Sequence, residues 1–136
     1  MEENSTGFDN KRKGAQAEDL YADLVRLAGF DTCVASRVAD PVIDKVGKID
    51  LMGLPYNIQI KAGYNNGVNP SGLLSNMDIA IASLSLPSFP SVVIHHKNVP
   101  PEFDRTKYHS IVSMTFETFI GIVTEVRKLK HKKRKR

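Results

Sequence analysis

Two short apolar segments, Ile49-Asp50-Leu51-Met52 and Asn57-Ile58-Gln59-Ile60-Lys61, constrain this chain more than any other stretch. Each reads as a strand, because apolar residues dominate and side chains alternate faces along extended backbone. Gln59 and Lys61 then share one face, with Ile58 and Ile60 on the other, while Asp50 shares a face with Met52 opposite Ile49 and Leu51. With Leu54-Pro55 at the centre of an antiparallel hairpin, residue 52 pairs with 57, 50 with 59 and 48 with 61. Directly opposed Cβ atoms lie roughly 5 Å apart. The pattern predicts a small polar patch of Asp50, Gln59, Lys61 and Lys48 on a hydrophobic sheet. An acid, an amide oxygen and an ammonium so placed suit a divalent metal and a phosphate. On an exposed hairpin the same residues are merely a solvated face.

Upstream, Ala17, Leu20, Tyr21, Leu24, Val25 and Ala28 recur at helical spacing, and Gly29 stands where a helix C-cap is expected. Glu18 falls beside Val25 on the margin of this stripe, so it can lean over a sheet. A glutamate near a helix N-terminus is also favoured by the macrodipole alone, with no function attached.

The order of these pieces carries a resemblance. Lys13-Gly14-x-x-Ala17-Glu18 on a first helix, Gly29-Phe30 and a strand, Gly47-x-x-Asp50, then Gln59-x-Lys61 resemble the PD-(D/E)XK nucleases. Within them the pattern is most similar to archaeal- and phage-type Holliday junction resolvases, over residues 10 to 97. The resemblance implies an α/β fold: a small mixed β-sheet flanked by helices, with an αβββαβ restriction-endonuclease-like core, followed here by a C-terminal strand and helix. It implies a catalytic set of Glu18, Asp50, Gln59 and Lys61. It also implies a magnesium ion, with manganese as a substitute, held by Glu18, Asp50, the Gln59 side-chain oxygen and the Ile60 carbonyl. Ser36 matches a serine often found after the first strand in the resolvases. Two departures stand out. Gln59 replaces the more usual acid, which removes one negative charge. The segment from Val38 to Gly47 is longer than in compact resolvases, and its Asp44 is a rival carboxylate that reads, with Asp40-Pro41, as loop and ranks behind Asp50.

Composition fits this class. A chain of 136 residues, 41% hydrophobic, suggests one domain with a sizeable core. The expected layout is a nuclease-like domain over 1–129, its first ten residues flexible, and a basic tail over 130–136. Apolar runs fall short of the ~20 residues a membrane span requires, and the polar N-terminus has no signal-peptide core. The expected location is therefore the cytoplasm, or the host-cell cytoplasm for a phage protein. In a eukaryote Lys132-Lys133-Arg134-Lys135-Arg136 reads as a nuclear localisation signal. The lone Cys33 excludes an internal disulfide and reads as a core thiol. His95 and His96 are strand neighbours on opposite faces and cannot jointly grip one metal.

Charge is unevenly placed. Net charge is +4, yet residues 127–136 hold eight Lys/Arg and no acid, which leaves the rest of the chain at −4. The tail (Lys130, Lys132, Lys133, Arg134, Lys135, Arg136) and the cluster Lys11, Arg12, Lys13 are expected to contact phosphates without sequence preference. Ser36, Arg37 and Lys48 are the expected contacts nearer the site. The expected partner is branched DNA. Because a resolvase must cut two opposed strands, a two-fold homodimer is the default. The same residues also suit a restriction- or repair-type endonuclease, an RNA endonuclease of the same fold, or a non-catalytic nucleic-acid-binding protein, for which Gln59 is the best argument.

The remaining chain reads as scaffold. Gly63 to Gly72 is a turn-rich loop, and Leu73, Leu74, Met77, Ile81 and Leu84 recur as a helix. Ser91 to His96 is a buried strand broken by Val99-Pro100-Pro101, and Ile111 to Met114 is a short strand. Thr115 caps a last helix with the stripe Phe116, Phe119, Ile120, Val123 and Val126.

Overall fold

Helix α1 (Glu2–Leu27) ends as its sequence dictates. Gly29 takes φ +117°, the Gly29 N–H donates to the Arg26 carbonyl, and the Phe30 N–H reaches back to the Val25 carbonyl. This pair of bonds is a Schellman cap, which needs a residue without Cβ strain at the left-handed position. The computed structural model describes residues 2–62, 69–96 and 110–134, with side chains from 14 to 132. Residues 63–68 of the loop expected over 63–72, the Val99-Pro100-Pro101 break, Lys135 and Arg136 lie outside the described residues. So do the side chains of Lys11, Arg12, Lys13, Lys133 and Arg134. Pro70 to Gly72 of that expected loop form the first turn of a helix capped by Asn69.

Beyond α1 come β1 (Val34–Ala35), α2 (Ser36–Ala39), α3 (Pro41–Lys45), β2 (Leu51–Met52) and β3 (Asn57–Ala62). Then follow α4 (Pro70–Ser83), β4 (Ser91–His96), β5 (Ser110–Ser113) and a last helix, here α5 (Phe116–Arg134). The five strands form one mixed sheet in the order β1-β2-β3-β4-β5. Among the described residues β3 and β4 are the one parallel pair, with Gln59 beside Val93 and Lys61 beside His95. The other neighbours are antiparallel. The expected α/β class, with a mixed sheet and helices around it, is thus observed.

The central parallel pair is buried on both faces, as a strand covered by helices on each side must be. On one face Ile58, Ile60, Val92 and Ile94 pack with Ala17, Tyr21 and Ala22 of α1 and with Cys33 and Leu51. On the other, Val93 packs with Leu74, Met77 and Ile81 of α4 and with Ile49. Cys33 is a buried thiol, as its sequence context indicates. His96 lies on the α1 side, where its Nδ1 and the Tyr21 hydroxyl are hydrogen-bonded at 2.9 Å. The hydroxyl of Ser110 on β5 completes this link between α1 and two strands.

One expectation about the helix stripe changes. Leu20 and Leu24 are exposed, because α1 approaches the sheet along Ala17, Tyr21 and Ala22, whose small members allow close contact. Helix backbone begins at Glu2, and Lys130 to Arg134 continue the backbone of α5. Thr115 does cap that helix, its Oγ1 accepting the Thr118 N–H at 3.1 Å. Among the described residues no helix is long and apolar enough to cross a membrane.

The β2–β3 turn depends on Gly53. Its φ is +92°, and a Cβ there would sit 2.5 Å from the Thr32 carbonyl oxygen. Gly53→Ala is expected to destabilise the protein by about 2 kcal/mol, combining left-handed strain with a backbone clash. Urea denaturation monitored by circular dichroism measures this. An unchanged midpoint would mean that the turn relaxes freely.

Candidate metal centre

The hairpin pairs as its sequence predicts at Leu51, the partner of Ile58. One residue earlier the ladder slips. The Asp50 N–H also donates to the Ile58 carbonyl, at 2.7 Å. Two consecutive residues of one strand therefore face a single residue of the other, the count that defines a β-bulge. The bulge reverses the expected alternation, and Ile49 and Leu51 end in the two different core clusters. It also turns the Asp50 side chain into the ladder, where Oδ2 accepts the Ile60 N–H at 2.6 Å. The Asp50 carbonyl meanwhile accepts the Ser36 N–H from the other side, at 2.8 Å.

So re-aimed, Asp50 meets two other acids. Glu18 of α1, Asp44 of α3 and Asp50 each offer a carboxylate oxygen within 4.8 Å of the others. Asp44 is the acid that sequence pattern undervalues. The segment Asp40-Pro41 is the start of a short helix and not loop: Asp40 accepts the Val42 and Ile43 N–H groups, and Pro41 occupies the first turn. An Asp-Pro pair is itself a helix-start signal, so this carboxylate was recoverable from sequence. Glu18 sits deep within α1, far from its N-terminus, so the macrodipole does not account for it.

Electrostatics follow from the crowding. Burial pushes the Asp50 carboxyl up to about 8; the neighbouring Asp44 and Glu18 push it the same way, against the Ile60 N–H. Burial raises Glu18 as well, helped by Asp44 and opposed by Arg37. Arg37 supplies the local counter-charge: its Nε donates to Glu18 at 2.9 Å and its Nη2 to Asp19 at 2.5 Å.

The other expected residues are placed differently. Lys48 is exposed, with φ +57°, outside β2 and not paired across from Lys61, because the bulge ends the regular ladder at Asp50. Ser36 is fully buried as the first residue of α2. Gln59 is buried, and its Oε1 has no hydrogen-bond partner among the described residues. Lys61 follows two residues later on β3, partly buried. The expected four-residue patch is thus replaced by an acidic triad beside the Gln59-x-Lys61 strand. Lys130 and Lys132 are exposed on the last turns of α5.

In comparisons with protein families, with characterised proteins and with solved structures, nothing matches this chain.

The Asp50 environment makes a pH prediction. Its carboxyl holds a proton to about 8 in the fold against 3.8 for the ordinary group, so the native state binds the extra proton between those values. Stability from this group is full below that window and is lost as pH rises through it. Asp50→Asn keeps an acceptor for the Ile60 N–H and removes the titration. Without divalent ions, its melting temperature should match the wild type near pH 4 and exceed it by several degrees above about pH 8. Parallel thermal melts across pH check this, and a gap independent of pH would contradict it.

Proposed function

We propose that this protein is a magnesium-dependent endonuclease hydrolysing DNA phosphodiester bonds, with a four-way junction as its preferred substrate and an αβββαβ restriction-endonuclease-like core. The observation that carries this reading is the convergence of Glu18, Asp44 and Asp50 within 4.8 Å beside the Gln59-x-Lys61 strand. The donor set fits a hard divalent cation, which takes carboxylate, amide and carbonyl oxygens. The raised carboxyl of Asp50 supports the fit, since a cation relieves the like-charge crowding that raises it. Glu18, Asp44 and Asp50 would hold the ion, joined by the Gln59 Oε1, which lacks any other partner among the described residues, and by the Ile60 carbonyl. A bound magnesium ion supplies charge that screens the phosphate and makes water more acidic.

The chain's own groups supply the rest. Asp44 restores the negative charge that a glutamine at position 59 forfeits. Gln59 contributes an oxygen but cannot accept a proton, so deprotonation of the attacking water falls to Lys61, Glu18 or solvent. The Lys61 ammonium also stabilises charge developing on the phosphorane oxygens. Arg37 neutralises Glu18 in the resting protein. With a cation there, the Arg37 guanidinium would be available to hold a phosphate, for which its forked donors are well suited. A second reading, a non-catalytic DNA-binding protein, draws on Gln59 and on the Arg37–Glu18 pair as a permanent substitute for a metal.

A magnesium-dependent cleavage assay on a four-way junction, a duplex and a single strand of DNA, with an RNA control, separates the readings. Junction cleavage should dominate, and Asp50→Ala should lower it by roughly 10²-fold or more while the protein stays folded. Gln59→Glu should lower the magnesium needed for half-maximal rate. Full activity in a folded Asp50→Ala protein would remove this site from consideration, and binding without cleavage would favour the second reading.

Removing residues 131–136 deletes five cations: Lys132, Lys133, Arg134, Lys135 and Arg136. DNA affinity should fall similarly for all sequences. The slope of log affinity against log salt should flatten by up to about 0.9 for each phosphate that is no longer neutralised. Turnover of the saturated enzyme should be unchanged. Fluorescence anisotropy at several salt concentrations reads the slope, and an unaltered slope would make this end an address label.

A further inference from the structure

A cleft of about 930 Å³ lies between the first turns of α5 and a wall formed by α4 and the segment that follows it. Its apolar wall includes Leu74 and Ile81, and Phe89, which also lines it, stays 42% exposed. Its charge is of one sign. Asp78, Glu117 and Glu125 line it, and its described lining residues include no Lys, Arg or His. Asp78 is held in place by the Ser91 hydroxyl, which donates to it at 2.7 Å. Lys128 approaches Glu125 to 3.6 Å, but both side chains are well exposed, and such a pair contributes little.

A glycine marks the same side of α5. Glu117, Gly121 and Glu125 are spaced by four, so they form one row along the helix, and all three line the cleft. Glycine is, after proline, the poorest helix former. Gly121 nevertheless stands inside α5, without a positive φ, and a Cβ there would meet nothing within 4 Å. Neither backbone conformation nor packing within the described chain calls for a glycine at this place. The missing side chain leaves room for another backbone to approach α5 between two carboxylates.

The row sets the chemistry of the occupant. Glu117 and Glu125 are about 12 Å apart along the helix axis. Four residues of extended chain span about 13 Å and bring the side chain back to the same face. Two cations four positions apart on an extended segment therefore meet the two glutamates, while the residue midway passes over Gly121. The residues between them point to the other wall, where Leu74, Ile81 and Phe89 suit apolar side chains. Ser88, Thr115 and Thr118 bring hydroxyls to the cleft for the N–H and C=O groups of such a segment. A bound helix would keep those groups to itself. A nucleic acid would meet only repulsion from the three carboxylates.

We propose that this cleft binds an extended segment of a partner protein, with basic residues at its first and fifth positions and apolar residues at its second and fourth. Such binding uses none of the residues of the proposed catalysis, and its test reads no cleavage.

The probe is a fluorescein-labelled peptide Arg-Leu-Ala-Leu-Arg, followed by fluorescence anisotropy with the full chain at low salt. It should bind saturably, and the same peptide with both arginines replaced by glutamate should not. The rearranged peptide Leu-Arg-Arg-Leu-Ala should bind at least about 10-fold more weakly, because its cations no longer match the glutamate row. Replacing both Glu117→Gln and Glu125→Gln should weaken binding by a similar factor. Gly121→Phe fills the gap and should abolish binding, with a melting temperature no lower than the wild type. If that variant misfolds, the glutamine pair, at two exposed positions, carries the test. Val123→Ser, on the opposite side of α5, should leave binding unchanged. No saturable binding of the arginine peptide, equal binding of the rearranged one, or binding that survives a folded Gly121→Phe would each overturn the proposal.

Discussion

A carboxylate oxygen stands in the sheet where a backbone carbonyl would ordinarily be. Asp50 accepts the Ile60 N–H through its side chain, while its own N–H and carbonyl bond Ile58 on one flank and Ser36 on the other. Three hydrogen bonds from one residue thus join β3 to the segment that begins α2. The bulge allows this, because the extra residue shifts Ile49 to the α4 side and Leu51 to the α1 side. Both hydrophobic clusters therefore depend on the same local irregularity that positions the acid. A residue with no side-chain acceptor at position 50 would leave a buried N–H unsatisfied, which costs about 1–3 kcal/mol.

Around that bond the site is a balance of like charges held together by packing. Glu18 rides on a helix anchored through Ala17, Tyr21 and Ala22. Asp44 rides on a single helical turn fixed by the Asp40 cap. Neither element yields easily to the repulsion between carboxylates. Arg37 offsets part of it by bridging Glu18 and Asp19 and reaching the Ala15 carbonyl. Its guanidinium therefore ties α2 to α1 directly across the candidate site.

Much of this architecture was readable in the sequence. All five strands, α1, α4 and α5 follow from periodicity and caps, and the Gly29 cap and the Leu51–Ile58 register emerge as expected. Asp50 and Glu18 were legible because an acid in an apolar strand and an acid on the margin of a helix stripe are both unusual. The bulge was not legible. Strand alternation assumes one residue per pleat, and only tertiary demand from two cores reveals that Asp50 breaks the count. Asp44 was underrated because a one-turn helix has no periodicity to detect. The burial of Ser36 and the direction of Lys48 were not legible for the same reason: both flank irregular backbone that the local pattern does not set.

The separation of the three acids along the chain has a kinetic consequence. Glu18, Asp44 and Asp50 come together only once α1 has docked on the sheet and β1 has closed on β2. The parallel β3–β4 pair likewise joins segments more than thirty residues apart. Such non-local contacts form late, after the β2–β3 hairpin, and pay their loop-closure entropy first. The crowding of carboxylates is then a property of the finished fold and is scarcely felt in the transition state. Interactions absent from the transition state act mainly on the unfolding rate. Whatever neutralises these carboxylates therefore lengthens the lifetime of the native protein and hardly alters how fast it is reached.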